Sequence, residues 1–438
     1  MDTRTFKGGV QVPHHKKATE HIAISECPSP DKLYFSMRQN IGAPSKPIVA
    51  VGDQVKKGQR IGEAGSFVSS HVHSSVSGTV KRIFSRKIMG ADTQIIEIEN
   101  DHQETWDESI KPRENIEDFS AKVIKDLISE SGVVGMGGAG FPFHVKISPP
   151  EGKTIDTVIV NGAECEPYLT GDHRLMVEDP NMIIQGVLLT MKSVGAKKGI
   201  IGIEDNKPDA IEAMKNASSM YNQIEIVALE SKYPQGGEKQ LIKATTGREV
   251  PSGGLPLEVG VVVCNVASAK AVADYVISGT PLIERVCTVT GSGVKNPTNL
   301  MIKIGTPIDW IINHAGGVTE DFNKLILGGP MMGNSVGMMD LPATKTTGGL
   351  LLLNKKDSKD YEVEPCIKCG KCVSVCPMFL QPLNISAASL AGAFDIADEY
   401  SAMDCIECGS CSFICPSNRP LVHSIRVAKR QILEKRKR

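Results

Sequence analysis

The chain has 438 residues, and a soft prior of about 150 residues per domain predicts roughly three domains. Its 49 basic and 50 acidic residues leave a net charge of −1, which argues against a protein built mainly to coat nucleic acid or a membrane surface. No stretch approaches the ~18 apolar residues of a membrane span, and the polar N-terminus lacks the apolar region of a signal peptide. We therefore expect a cytosolic chain, in which twelve cysteines indicate metal binding or redox chemistry rather than disulfides.

The first patterned segment, residues 46–83, alternates β-branched apolar residues with Gly-Asp and Lys-Lys-Gly turns, which predicts short paired strands. It resembles a lipoyl- or biotinyl-type barrel-sandwich domain. Carrier domains of that type present a modified lysine at a hairpin tip, but no lysine lies between Gly58 and Val80. We therefore interpret the segment as a scaffold or docking surface. His71 and His73 share a strand face but have no third ligand, so we interpret them as surface residues.

A glycine-rich loop, GMGGAGFPFHVK at 135–146, follows a predicted helix. Glycines allow backbone amides to approach a flat or phosphorylated ligand closely, and the start of a following helix would add its dipole. A glycine-rich loop alone is equally typical of a flexible turn. The loop is therefore a candidate site only in combination with its neighbours.

The next segment predicts a buried strand from Thr157 to Val160 that carries Asn161, Glu164 and Glu166 into one loop. Open α/β sheets bind ligands at this end of their strands. A further strand at 197–205 and a helix near 207–217 continue the α/β alternation. Cys165 has no histidine near it in sequence and is more consistent with a buried small residue than with a nucleophile.

After Pro281 the pattern is strand, turn, strand and a helix that begins near Pro307 with Asp309 in its first turn. This segment resembles a β-grasp module. Cys264 and Cys287 lie in apolar strands and are predicted core residues. The charged segment 355–364 has no apolar period and is a predicted linker.

Near the C-terminus the pattern C-x2-C-x2-C-x3-C-P occurs twice, separated by an alanine-rich segment with helical apolar spacing. In bacterial two-cluster ferredoxins the fourth cysteine of each run binds the other cluster. Four-thiolate zinc sites normally use two C-x2-C pairs separated by a longer loop, so they fit poorly. We predict one [4Fe–4S] cluster on Cys366, Cys369, Cys372 and Cys415, and a second on Cys405, Cys408, Cys411 and Cys376.

The last thirteen residues, RVAKRQILEKRKR, are strongly basic. Two interpretations remain open, a solvated helix end and a surface that docks on anionic lipid or an acidic redox partner.

Several long motifs resemble known families. GMGGAGFPFHVK, VNGAECEPYLTGDHRLM, YPQGGEKQLIKATTGREVP and CNVAS occur in the order of the flavin- and NADH-binding subunit of respiratory complex I. The opening FKGGVQVPHHK, the loop GGPMMG at 328–333, TKTTGGLL and the dicluster unit resemble, more closely, the C subunit of the Rnf complex, a membrane-bound ferredoxin:NAD oxidoreductase. The resemblance covers essentially the whole chain.

The resemblance implies FMN against the glycine-rich loop, with Lys146 on its phosphate or ribityl side and NADH stacked over the flavin. It places Glu166 near the nicotinamide and implies no certain catalytic side chain, because the cofactors carry hydride transfer. Phe141 or Phe143 would face the adenine. Gly237 and Ala163 depart from the complex I pattern, which carries acidic residues there. The implied cofactor-binding residues are Gly135, Gly137, Gly138, Gly140, Phe141, Lys146, Asn161, Glu164, Glu166, Tyr233, Gly236, Glu238 and Asn265.

The predicted fold class is multidomain α/β. Its modules are an N-terminal domain with a barrel-sandwich hybrid (1–112), a Rossmann-like FMN/NADH domain (113–280), an SLBB-like β-grasp domain (281–354), and a linker with a helical dicluster ferredoxin domain (355–438). The predicted function is electron input: hydride exchange between NADH and FMN, and single-electron relay through two [4Fe–4S] clusters.

The resemblance also implies partners and a location. The partners are the other subunits of an Rnf-type complex, including an iron–sulfur subunit, with ferredoxin reached indirectly and no nucleic acid bound. The location is peripheral, on the cytoplasmic side of the cell membrane. Two alternatives are a cobalamin reductase with related parts and a non-catalytic, electron-conducting scaffold subunit.

Overall fold

The computed structural model describes residues 3–437. Met1 and Asp2 of the predicted first module and Arg438 of the basic tail lie outside the described residues. The N-terminal region contains two small antiparallel sheets, with strand orders β2-β8-β7-β4 and β3-β5-β6. Its strands are β1 Ile24–Glu26, β2 Lys32–Ser36, β3 Lys46–Pro47, β4 Gln54–Val55, β5 Arg60–Glu63, β6 Val72–His73, β7 Gly78–Ile88 and β8 Ala91–Asn100. The predicted short paired strands of 46–83 are therefore confirmed.

The interpretation of His71 and His73 as surface residues is wrong. His73 is buried and His71 is half-buried, because this face of the barrel packs against Gly132 of the next region. Burial lowers the pKa of His71 to about 4 and that of His73 well below its ordinary value. Both imidazoles are therefore neutral at physiological pH.

A parallel sheet of order β11-β10-β9-β12 forms the centre of the next region, with helices packed around it. The apolar strands are buried on both faces, as parallel strands covered by helices require. Its strands are β9 Thr157–Gly162, β10 Lys198–Glu204, β11 Ile224–Leu229 and β12 Val261–Asn265. Its helices are α1 Ala121–Glu130, α2 Phe143–Lys146, α3 Gly171–Glu178, α4 Pro180–Val194, α5 Pro208–Ser218, α6 Glu238–Thr246 and α7 Val266–Ser278.

The strands and the helix predicted at 157–160, 197–205 and 207–217 correspond to β9, β10 and α5. The helix after the glycine-rich loop, α2, is only four residues long, so it supplies little of the predicted dipole.

A mixed six-stranded sheet follows, with strand order β1-β14-β13-β17-β15-β16. Its later strands are β13 Glu284–Thr290, β14 Thr298–Lys303, β15 Phe322–Leu327, β16 Asn334–Val336 and β17 Gly349–Asn354. Helix α8, Ile308–His314, has Asp309 in its first turn as predicted. Cys264 and Cys287 are buried core residues as predicted. The sheet also takes β1 from the N-terminal region in parallel with β14, a pairing that the sequence did not predict.

The C-terminal region is helical, as predicted. Its helices are α9 Lys371–Ser374, α10 Pro382–Leu390, α11 Phe394–Glu399, α12 Ser410–Phe413 and α13 Leu421–Lys437. The predicted linker 355–364 is mostly exposed and has neither helix nor strand. Helix α13 packs on α10 and α11, and four of its basic side chains form ion pairs within the chain, which favours the helix-end interpretation of the tail. These pairs are Arg426 and Lys429 with Glu407, Lys435 with Asp395, and Arg436 with Asp398.

An N-terminal strap, residues 3–20, connects these regions. Arg4 bridges to Leu229 at the edge of β11, and Val10 exchanges backbone hydrogen bonds with Tyr233. The amide of Gly9 donates to the carbonyl of Val375 in the C-terminal region. Among residues 3–437, no helix is both long and apolar enough to cross a membrane.

Candidate functional site

The candidate cofactor site lies at the carboxyl ends of β9 and β12. The chain runs from β9 to β10 and β11 on one side of the sheet and returns to β12 on the other side, so the strand order reverses between β9 and β12. Ligands of open α/β sheets bind at such a reversal point. Asn161 and Asn265, both predicted ligand contacts, are paired in register at these two strand ends.

The glycine-rich loop lies against this edge. A hydrogen bond of 2.8 Å from the Gly135 amide to the Phe141 carbonyl closes the loop. A Cβ on Gly137 would lie 2.8 Å from the Asn265 side-chain nitrogen, so a larger residue there would displace the Asn265 side chain. Residues 137–139 are exposed, and no atom of the chain lies within 4 Å of the position that a Cβ on Gly138 would take. The outer face of the loop is thus open bare backbone, which fits a flat or phosphorylated group such as FMN.

The end of helix α2 and the segment that leads into helix α6 lie at the same edge. The Lys146 ammonium donates to the Glu238 carboxylate at 3.0 Å and to the Val263 carbonyl at 3.1 Å. The Asn161 side chain donates to the Gly236 carbonyl at 2.8 Å. The structure therefore gathers these five residues beside the glycine-rich loop, and Lys146 supplies a cation suited to a phosphate.

Asp172 belongs to this site and has no role in the sequence-based prediction. Its carboxylate accepts a hydrogen bond of 2.5 Å from the Asn265 side chain. The Glu164 carboxylate accepts from the Asp172 and His173 amides at 2.7 and 3.1 Å, so it caps α3. Burial, with the nearby Glu164 charge, raises the pKa of Asp172 to about 7. Its place in the first turn of a helix after the Glu164 loop was the only sequence signal.

Glu166 and Tyr233 contact segments outside the parallel-sheet region. The Glu166 carboxylate accepts hydrogen bonds from the Met331 and Met332 amides at 3.1 and 2.9 Å. Burial raises the pKa of Glu166. Tyr233 is buried in an apolar cluster with Val10 and Cys408. These two predicted contacts therefore lie between the β9 edge and the second cysteine run.

The remaining predicted contacts differ in accessibility. Phe143 is fully buried in the core and has no free face for adenine, whereas Phe141 is partly exposed. Gly140 has a φ of +71°, and a Cβ on it would lie 2.8 Å from Thr346, so it packs towards the six-stranded sheet rather than into the crevice. The aromatic candidate for adenine is thus Phe141.

Seven of the eight thiols of the cysteine runs fall into two groups, and each group combines members of both runs. Burial is the larger cause of the raised pKa of the Cys372 thiol. The neighbouring thiols of Cys415 and Cys369 raise that pKa further. In the same way, the thiol of Cys411 neighbours those of Cys405, Cys408 and Cys376. The crossed ligand sets stay a prediction, which this grouping supports.

The chemistry of the donors fits iron–sulfur clusters, because soft thiolates suit iron. Within residues 3–437, no three His, Cys, Asp or Glu side chains are grouped to hold one metal ion. The thiolates of a [4Fe–4S] cube each bind a different iron, so they need not converge on one point. The predicted sets differ in their most accessible members. Cys366 and Cys369 are exposed, although Cys372 of the same set is buried, whereas no member of the other set is exposed: Cys376, Cys408 and Cys411 are buried and Cys405 is half-buried.

Four protein families match consecutive parts of the chain. They are the RnfC barrel sandwich hybrid domain at 4–103, the Nuo51 FMN-binding domain at 128–274, the SLBB domain at 286–335 and the 4Fe-4S dicluster domain at 358–429. These matches confirm the predicted fold class and the predicted cofactors, FMN and two [4Fe–4S] clusters. They are also consistent with NADH as the substrate.

Curated relatives resemble the chain over nearly its full length. The C subunit of the Na+-translocating ferredoxin:NAD+ oxidoreductase complex of Acetobacterium woodii is 48% identical, covering 99% of this chain and 98% of that protein. The C subunit of the proton-translocating complex of Clostridium ljungdahlii is 46% identical, covering 90% of this chain and 86% of that protein. Both support the predicted flavin and iron–sulfur oxidoreductase subunit over the cobalamin reductase and scaffold alternatives.

One similar solved structure is an NAD+-reducing [NiFe]-hydrogenase in the H2-reduced state. It is 18% identical with a TM-score of 0.50, covering 74% of this chain and 63% of that chain. At this identity the similarity concerns the fold alone. The relatives and the four family matches together carry the assignment: the chain belongs to the family of C subunits of ion-translocating ferredoxin:NAD oxidoreductase complexes.

Proposed function

We propose that the chain is the electron-input subunit of a membrane-associated, ion-translocating ferredoxin:NAD oxidoreductase, working with the other subunits of that complex on the cytoplasmic side of the membrane. FMN and two [4Fe–4S] clusters, when bound, supply hydride exchange with NADH and single-electron relay. The protein residues bind and orient these groups. The observation that carries the proposal is the convergence of the open glycine-rich loop with Asn161, Asn265 and Lys146 at the β9/β12 reversal point.

The residues of the crevice have distinct tasks in this proposal. The bare backbone at Gly137 and Gly138 lets the flavin approach, and Lys146 neutralises its phosphate. Asn161 and Asn265 are fixed by hydrogen bonds to Gly236 and Asp172, so their side chains can orient a ligand without reorganising.

The contacts between regions support an order for the two thiol groups. Cys165 of the β9 loop, Tyr233 and Cys408 share one apolar cluster, and a Cβ on Gly8 would lie 3.0 Å from the Cys376 carbonyl. These contacts support our proposal that the group of Cys376, Cys405, Cys408 and Cys411 is the one nearer to the flavin crevice. We propose that the group with exposed Cys366 and Cys369 faces an iron–sulfur partner protein, through which ferredoxin is reached.

The test is a substitution that only a bound ligand should detect. Gly138→Ala adds a methyl group where no protein atom lies within 4 Å, so stability should not change. If FMN lies on this loop, the methyl group should weaken FMN binding by roughly tenfold or more, about 1.4 kcal/mol. The readouts are FMN fluorescence titration and bleaching of flavin absorbance by NADH under anaerobic conditions.

Gly337→Ala is the matched control, because Gly337 is exposed and also has no atom within 4 Å of an added Cβ. It should bind FMN as the wild type does. Wild-type protein that binds no FMN, or whose bound FMN is not bleached by NADH, would refute the proposed function. Normal FMN affinity in Gly138→Ala would contradict the proposal that the flavin lies on this loop.

A further inference from the structure

The side chain of Lys16, in the N-terminal strap, passes beneath the loop that follows β9. Its ammonium donates to the carbonyls of Glu164 at 2.8 Å and Glu166 at 3.0 Å, and also to that of Leu169. An ammonium has three N–H donors, so this set of acceptors uses all of them. The contact joins residues about 150 positions apart in the chain.

These contacts are specific rather than incidental. Lys16 is buried, and among residues 3–437 it forms no ion pair with a carboxylate. Burial lowers its pKa, since a buried ammonium loses its hydration. The three carbonyl dipoles replace that hydration, so the loop must keep their directions for the ammonium to remain buried and charged.

The loop held by Lys16 has a backbone conformation that requires support. Glu164 and Tyr168 have φ angles of +46° and +70°, in the left-handed region that residues with a Cβ rarely adopt. Such conformations persist when the surrounding structure fixes them, and they concentrate at functional sites. The Lys16 ammonium binds the carbonyl of Glu164, one of these two residues, directly.

The base of the Lys16 side chain is itself anchored. The amides of Thr19 and Glu20 donate to the Lys16 carbonyl. The Thr19 carbonyl accepts from the Asn299 side chain at 2.9 Å, in the six-stranded sheet. The strap around Lys16 is thus hydrogen-bonded both to the six-stranded sheet and to the loop after β9.

The same loop carries both predicted carboxylates of the cofactor site. The Glu164 side chain caps α3 beside Asp172, and the Glu166 side chain binds the 331–332 amides. Their backbone carbonyl oxygens both accept hydrogen bonds from Lys16. We propose that Lys16 is a positioning residue, which fixes the 164–169 loop so that the cofactor crevice keeps the geometry needed for hydride exchange. This inference rests on the proposed function.

The test compares full-length Lys16→Met with Lys17→Met, whose lysine is the exposed neighbour. At saturating FMN, Lys16→Met should lower kcat for NADH oxidation per bound flavin by roughly 10- to 100-fold, with a much smaller change in KM, because misplacement slows the chemical step. In apoprotein, the amides of Asp172 and His173 should exchange hydrogen roughly tenfold faster. Lys17→Met should match the wild type in both measurements.

A wild-type value of kcat per bound flavin in Lys16→Met would overturn the proposal, even if the melting temperature fell. The lysine would then contribute to stability only. If Lys16→Met does not fold, Lys16→Arg replaces it. Arginine keeps the charge but presents a planar donor fork, so kcat should still fall. Wild-type kcat in Lys16→Arg would then overturn the proposal. A failure of the proposed function would instead appear in the wild type, as absent FMN binding or absent NADH oxidation.

Discussion

The two cysteine runs have the same spacing but different surroundings. Cys366 and Cys369 of the first run lie exposed on a segment without helix or strand, whereas Cys372 and Cys376 of the same run are buried. Cys408 and Cys411 of the second run are buried, and Cys408 shares an apolar cluster with the β9 loop. The spacing of a run therefore specifies which thiols can bind a cluster, while the packing around it decides which of those thiols are buried and which are exposed.

Further contacts join the C-terminal region to the flavin domain and to the six-stranded sheet region. The Gln240 side chain donates to the Pro377 carbonyl at 3.3 Å, and a Cβ on Gly409 would lie 3.0 Å from the Met331 carbonyl. The Ser252 hydroxyl donates to the Asp404 carboxylate at 2.5 Å. Residues of both the flavin domain and the six-stranded sheet region thus hold the C-terminal region in place.

The largest expected effect comes from removing one ligand from each thiol group. Cys408→Ala and Cys366→Ala should each lower bound iron by about half, because each removes one of two clusters. In Cys366→Ala, the cluster that remains is the one that includes Cys408, proposed to lie nearer to the flavin, and NADH should still reduce it. In Cys408→Ala, the cluster that remains is the one that includes Cys366. NADH should not reduce that cluster, because the electron route from the flavin to it is interrupted. Electron paramagnetic resonance of NADH-treated protein distinguishes the two.

Cys287→Ala is the control, since Cys287 is a buried cysteine of the six-stranded sheet, outside both thiol groups. It should retain all the iron. If NADH reduced the remaining cluster in Cys408→Ala but not in Cys366→Ala, the order of the two groups would be reversed.

An intermediate effect is expected at the junction itself. Tyr233→Ala should lower the free energy of unfolding by about 3–5 kcal/mol, because it leaves a large cavity beside Val10 and Cys408. Tyr233→Phe keeps the ring and should cost much less. Denaturant unfolding measures both. Equal losses for the two variants would show that the hydroxyl, not the packed ring, supports the junction.

The smallest effect is expected on the outer surface of the same region. Lys435 pairs with Asp395, and Arg436 pairs with Asp398. The side chains of Lys435, Asp395 and Arg436 are exposed to solvent, and that of Asp398 is half-buried. The double substitution of the two basic residues to alanine should lower the free energy of unfolding by less than about 1 kcal/mol, and less still at high salt. A strong, salt-sensitive loss of binding to anionic vesicles would instead restore the docking interpretation of the tail.

Sequence reasoning predicted the parts of this protein whose signals are local. The alternation around Val80, the apolar strand after Thr157 and the helix with Asp309 in its first turn all depend on short-range periodicity, and the structure confirms each. Lys16 and Asp172 were not predicted as site residues, since an ordinary lysine and an aspartate in a first helical turn carry no distinguishing pattern. The burial of His73 was also missed, because it depends on a neighbouring region.

The sequence by itself determined the iron–sulfur prediction, since thiol spacing encodes ligand chemistry within a few positions, while FMN followed from the resemblance of several longer motifs to known families. Only the tertiary structure decided which thiols are buried, that β1 joins a distant sheet and that Lys16 contacts the β9 loop. The physical reason is that burial and electrostatic environment arise from contacts between residues far apart in the chain. Local patterns limit those contacts but do not choose among them.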